Sequence, residues 1–193
     1  MPTKNTKTYL LLFRGINVGG KNKIPMAELR IELESLGFEQ VTTYIASGNA
    51  IIRSHETASA IKQMIEDMLP RKFNLDSELV KILVVSLNQM RTVIDARPKG
   101  FGDEPDTYHS DVIFMIDAPV SEAQKIFKPR SGVDTITAGE RVFYSQRLSA
   151  ERTKSRLGAI AMSPLYKSMT IRSWKTTIKL YDLMLAAQAT QQE

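Results

Sequence analysis

The residues with the clearest chemical potential fall in one short stretch, Phe13-Arg14-Gly15-Ile16-Asn17-Val18-Gly19-Gly20-Lys21-Asn22-Lys23-Ile24-Pro25. Gly15, Gly20 and Lys21 match the Walker A spacing, but Asn22 stands where that motif carries the Ser or Thr hydroxyl that holds magnesium. Pro25 would fall within the first two turns of a helix opened at Gly20-Lys21, and its ring would clash with the Lys21 carbonyl. The run ending at Asp117 could pose as a Walker B strand, yet it reads better as the first strand of a second half. The pattern therefore argues against ATP binding and hydrolysis of the P-loop kind. A different chemistry survives. Consecutive Gly19 and Gly20 let backbone N–H groups converge into an anion-binding nest. Arg14 adds a bidentate donor and Lys21 a mobile charge. The plain alternative is a turn that needs positive φ angles, its charges merely solvated.

Other candidates are thinner. With no cysteine there is no disulfide, thiolate nucleophile or thiolate-bound metal. His55 and His109 are far apart in sequence, and Asp106, His109 and Asp111 form only a loose cluster, so no metal site is expected. Ser47, Ser145 and Ser155 lack a nucleophile-elbow setting and an identifiable base. Tyr44, Phe143 and Tyr144 lie on strand-like runs and could stack bases, but strand aromatics are more often core. No motif asks for a cofactor.

Composition bounds the class. The chain has 193 residues, 42% hydrophobic and 24% charged, enough for one large or two small domains. No apolar run approaches a membrane span, and the five-residue apolar run near the N-terminus is too short for a signal peptide. A cytoplasmic protein with no membrane association is expected. The net charge of +5 is unevenly spread. Residues 1–25 hold five Lys/Arg and no acid, and residues 141–181 hold nine against Glu151 alone. If these ends form one patch, it would attract phosphates or nucleic acid.

The elements that must position these residues follow a pattern that occurs twice. Strand-like runs cover Thr8–Phe13, Val41–Ala46, Ala50–Arg53 and Leu79–Val85. A helix between the first two carries Met26, Leu29, Leu33 and Leu36, opening beside Pro25 and stopping at Gly37. A hairpin turns at Ser47-Gly48-Asn49, and a second helix carries Ala58, Ile61, Met64, Ile65 and Met68 until Pro70 stops it. In the second half, a strand at Asp111–Ile116 leads to a short helix at Ser121–Phe127 and a hairpin turning at Gly139-Glu140. A helix around Glu151–Ile160 and a strand at Met169–Arg172 follow. Ser86 and Gln89 form a capping-box pattern for a linker helix through Ile94. The loop between that helix and the next strand looks too polar to be core, Ser173 can cap a last amphipathic helix, and the tail after it reads as frayed. The expectation is α+β: a tandem repeat of two ferredoxin-like β-α-β-β-α-β halves with mainly antiparallel sheets, residues 1–86 and 111–193, joined by a linker at 87–110.

The strings LLFRGINVGGKNKIPMAELR, VTTYIASGNAIIRS and TIRSWKTTIKL resemble the bacterial family called domain of unknown function 1697. The resemblance implies tandem ferredoxin-like halves and carries no established activity. It marks Arg14, Gly15, Asn17, Gly19, Gly20, Thr43, Tyr44, Ser47, Gly48, Asn49, Lys154, Thr170, Arg172, Trp174 and Thr176 as characteristic positions. Where the family usually reads Arg-Asn-Trp, this chain has Arg172-Ser173-Trp174, and the surroundings of Lys154 also differ.

Three functions remain open. The first is binding of a small phosphate-bearing or other anionic ligand, or of nucleic acid, at Arg14, Gly15, Gly19, Gly20 and Lys21 together with Arg172, Trp174 and Lys154. The second is an enzyme on a small anionic metabolite, with Asn17, Ser47 or Asn49 touching the reacting group. It lacks a recognisable acid–base pair. The third is a structural module for a protein partner.

Overall fold

The apolar run before the glycine stretch is the spine of a sheet. Strand β1 (Lys7–Arg14) is buried from Thr8 to Phe13, on both of its faces, and it lies between two neighbours. It pairs antiparallel with β3 (Asn49–Ser54) on one side and β4 (Lys81–Ser86) on the other. Strand β2 (Glu39–Thr43) pairs with β3, so the order is β2-β3-β1-β4. The computed structural model describes residues 6–76 and 80–189; Leu79, expected to open the fourth strand, lies outside them. The chain divides into two compact units, Met1–Arg91 with Leu180–Glu193, and Thr92–Lys179.

In the first unit, helix α1 (Met26–Ser35) starts directly after Pro25 and buries Leu29 and Leu33, four residues apart on one face. Gly37 follows it at φ 86, the left-handed angle that ends a helix. Helix α2 (Ala58–Lys72) is capped by Thr57, whose hydroxyl accepts from the Ala60 N–H, and it buries Ile61, Ile65, Met68 and Leu69. Pro70 does not stop it. The proline sits in the last turn, where it forfeits one hydrogen bond, and the helix runs on through Lys72. These helices and Tyr9, Leu11, Phe13 and Ile52 of the sheet share one core. Each large side chain there contributes about 1.5–3 kcal/mol.

Helix α3 (Leu87–Asp95) opens with the expected capping box: Ser86 N–H donates to Gln89 Oε1 at 2.9 Å and Gln89 N–H to Ser86 Oγ at 3.3 Å. The second unit then builds strands β5 (Tyr108–Met115), β6 (Asp134–Ala138), β7 (Val142–Leu148) and β8 (Met169–Ser173), all antiparallel in the order β6-β7-β5-β8. Helix α4 (Val120–Ala123) runs into a 3₁₀ turn at Gln124–Ile126. The last helix, α5 (Trp174–Ala189), is capped by Ser173, whose Oγ accepts from Thr176 N–H at 3.2 Å. It continues through Ala189, past the point where fraying was expected; residues 190–193 lie outside the described ones.

Two expectations fail in this unit. The α-helix around Glu151–Ile160 is instead three 3₁₀ segments, Ser149–Lys154, Leu157–Met162 and Pro164–Ser168. Only Leu157 and Ile160 are buried there, a three-residue spacing that suits 3₁₀ rather than α geometry. Ser155 and Ser163 turn their hydroxyls onto Leu157 N–H and Leu165 N–H, breaking the run twice. The loop before β5 was expected to stay out of the core, yet its Phe101 is 3% exposed, edge-on to Tyr144 and Trp174 with ring centroids 5.3 Å from each. Tyr144 and Phe143 are 2% and 1% exposed, in the core as strand aromatics usually are, so neither ring is open to a base; in the first unit Tyr44 falls just beyond the end of β2.

Candidate functional site

Residues 15–25 connect β1 to α1, and the connection is held by its own asparagines. No helix starts at Gly20-Lys21, as Pro25 foretold. Instead Val18 to Lys21 forms a tight turn in which Lys21 N–H donates to Val18 O at 3.1 Å. Gly19 (φ 60) and Gly20 (φ 76) supply two consecutive positive angles, as a type I′ turn needs. Asn17 and Asn22, flanking it, are left-handed as well. Asn17 Nδ2 donates to Ile24 O and to Ala46 O, each at 2.9 Å, while its Oδ1 accepts from Ile24 N–H at 2.8 Å. Buried Asn22 donates its side-chain amide to Gly15 O at 2.7 Å. Both amides work on the backbone of the loop, fixing its shape.

Two donors of the turn stay outside this network. Among the described residues, no backbone acceptor meets the Gly19 or Gly20 N–H, and space is open for 4 Å around the position of a side chain at either. The neighbouring Asn22 N–H already holds a carboxylate oxygen, Asp76 Oδ2, at 2.7 Å. Lys21 and Lys23 are exposed. Arg14 faces Lys81 across the β1–β4 pair, so the two cationic side chains leave the sheet on one face. Like charges so placed disfavour the sheet by themselves. Lys81 escaped sequence reasoning because its register with Arg14 follows from strand pairing, not from any local motif.

The β2–β3 turn joins this loop. Phe13 N–H donates to Gly48 O at 2.9 Å, and Asn17 reaches Ala46 O as above. Gly48 sits at φ 82, and a Cβ there would lie 2.7 Å from Ile16 Cδ1 and 2.8 Å from Phe13 Cβ. Only glycine fits. Fully buried Asn49 donates to Tyr44 O at 3.0 Å and to Ser47 Oγ at 3.2 Å, so its amide too serves the turn. Between them Ile45 adopts φ 49, a genuine outlier for a β-branched residue that costs of order 1–3 kcal/mol. The structure thus brings Arg14, Gly15, Asn17, Gly19, Gly20, Lys21, Ser47 and Asn49 together in the first unit.

Lys154, Arg172 and Trp174 belong to the second unit. Arg172 is 8% exposed on β8; its Nη1 donates to Thr170 Oγ1 at 2.9 Å and to Ile171 O at 2.8 Å. Desolvation by burial pulls its pKa down to about 10. Trp174 is packed by Phe101 on its edge, with the Arg97 guanidinium 5.8 Å from its centroid. Gly102 lies so close to its Cδ1 and Nε1 that no side chain fits there. Trp174 also lines a cleft of about 590 Å³ with Tyr108, His109 and Ile178. Lys154 is exposed and paired with Glu151. Among the described residues, no three metal-ligating side chains converge.

An α+β chain of two antiparallel sheets, with a stiffened glycine connection in the first, defines the class. The chain belongs to the family described as "Protein of unknown function (DUF1697)", whose model matches residues 6–144 and so includes the whole loop. Among solved structures it is similar to the conserved bacterial protein SP0830 from Streptococcus pneumoniae, at 26% identity and a TM-score of 0.80, covering 93% of this chain and 99% of that one. None of the curated proteins compared matches the chain. No helix among the described residues is long and apolar enough to cross a membrane.

Proposed function

We propose that the first unit binds a small anion, phosphate-bearing or carboxylate, at the β1–α1 connection, on one of two tandem ferredoxin-like halves. The observation that carries this reading is internal to the molecule. Both sheets have the same strand order, but the first strand reaches its helix through residues 15–25 in one unit and through residues 116–119 in the other. The longer link, with its three glycines, two left-handed asparagines and exposed lysines, exceeds what the sheet requires. Arg14 and Lys81 supply charge at its base, and the Gly19 and Gly20 amides supply fixed donors. The ferredoxin-like assignment rests on the element order β1-α1-β2-β3-α2-β4 and its strand order, with 3₁₀ turns in place of the second helix in the other half.

Calorimetric titration with inorganic phosphate and pyrophosphate, beside single-stranded RNA and DNA, tests the reading at two salt concentrations. A compact site engages one or two phosphates and shows a shallow salt dependence. Arg14→Gln weakens binding about tenfold, by loss of a charge-assisted bidentate contact. A nucleic-acid track would instead lose affinity steeply, with a slope of about 0.7–0.9 per phosphate on logarithmic axes. Steep polymer binding without any phosphate or pyrophosphate binding would overturn the proposal.

A further inference from the structure

We propose that the anion taken by this loop carries an apolar group, and that Ile45 and Val18 form the wall that selects it; this rests on the anion-site reading above. The starting point is the Ile45 backbone. A β-branched residue at φ 49 is strained, and glycine would adopt the same angle freely. The chain already uses glycine three residues later, at Gly48. The strain is imposed from both sides: Tyr44 N–H donates to Asn49 O, Asn49 Nδ2 to Tyr44 O, and Asn17 Nδ2 to Ala46 O. The clamped isoleucine is not repaid in the core, since it is 48% exposed. Strain held by such a clamp, on a side chain turned outward, marks a surface that meets something.

What it meets follows from the neighbours. The Asn17–Ala46 hydrogen bond ties the two segments, and one residue beyond it on each lie Val18, 66% exposed, and Ile45. Both are branched aliphatic side chains. Beside them stand the Gly19 and Gly20 N–H groups, which no backbone acceptor among the described residues meets, and the exposed Lys21 and Lys23. Donors and cations suit an anionic head, and the two aliphatic side chains suit a non-polar body attached to it. Inorganic phosphate would satisfy the first set and leave the second in water. The ligand class is therefore a phosphomonoester or carboxylate of an apolar or aromatic group.

The test compares inorganic phosphate with phenyl phosphate by calorimetry, on the full chain and on Ile45→Gly, with melting temperatures recorded for both. The unmodified protein binds phenyl phosphate about tenfold more tightly, the discrimination typical of a few apolar groups buried in a pocket. In Ile45→Gly the ratio of the two affinities falls to about one, while the melting temperature rises because the backbone strain is gone. Val18→Ser lowers the same ratio without touching that strain. Equal affinities in the unmodified protein, with phosphate bound, overturn this inference and leave the anion site standing. Failure of both ligands to bind overturns both readings. Capture by phosphatidic acid vesicles with no binding of phenyl phosphate overturns it in favour of a membrane surface.

Discussion

The two units lay down the same sheet and then connect it differently. In the first, a fifteen-residue α-helix joins the third and fourth strands and an elaborate loop follows the first. In the second, 3₁₀ turns replace that helix and the corresponding loop shrinks to residues 116–119. The sheet is thus indifferent to either link, and whatever exceeds its needs calls for another cause. The excess in the second unit is held inward: Asp134, 8% exposed, accepts from Arg130 N–H at 3.0 Å and Arg156 N–H at 2.8 Å, pinning the 3₁₀ segment. The excess in the first is braced by Asn17 and Asn22 from below and open above. One link closes on the core; the other presents a surface.

The largest effect should come from Gly102→Ala. Its new Cβ would collide with the Trp174 ring at a position that also needs φ 80. Overpacking together with a forced left-handed alanine should destabilise the protein by roughly 3 kcal/mol or more, read from denaturant unfolding. A cost near zero would mean that Trp174 is not anchored in the way described.

Next comes Asp134→Asn, with a loss of about 2 kcal/mol at neutral pH. Burial alone would raise the Asp134 carboxyl, but the Arg156 and Arg130 amides, the Ser155 hydroxyl and the Arg147 charge outweigh it and hold the pKa below 3.8. A depressed carboxylate stabilises the fold above its unfolded pKa and loses that contribution as pH falls through the folded value. The stability gap between the two proteins should therefore stay constant from neutrality to about pH 5 and close below about pH 4. A gap independent of pH would remove the charge from the account.

The smallest expected change in stability sharpens the contrast. Gly19→Ala meets open space, so only its left-handed angle of 60° is penalised. About 1 kcal/mol is expected in unfolding. A loss as large as that of Gly102→Ala would show that the glycine loop is packed after all.

Much of this contrast was legible in the sequence, and the reasons are local. The Ser86–Gln89 capping box, the Gly37 stop and the Ser47-Gly48-Asn49 turn are each decided by a few adjacent residues, and each stands where it was expected. Asn22 and Pro25 told the loop from a P-loop. What escaped depends on distant partners. Phe101 looked exposed because its neighbours are polar, and only the tertiary approach of Tyr144 and Trp174 buries it. Asn17 and Asn49 read as ligand contacts because their types are polar; that their amides also hold Ile24 O, Ala46 O and Tyr44 O follows from the folded turn and loop, not from any local motif. The pairing of Arg14 with Lys81 required the strand register, and the strain at Ile45 has no sequence signature at all.

The central claim is that the first unit's loop, and not the second unit's glycine turns, holds an anion. Glycine amides report this directly in a two-dimensional nitrogen–proton correlation spectrum titrated with phosphate at fixed ionic strength. The account predicts that the Gly19 and Gly20 resonances move together and saturably, while Gly100, Gly102 and Gly132, also at positive φ but in the second unit, stay in place. Shifts spread evenly over both sets, or none at Gly19 and Gly20, would contradict it.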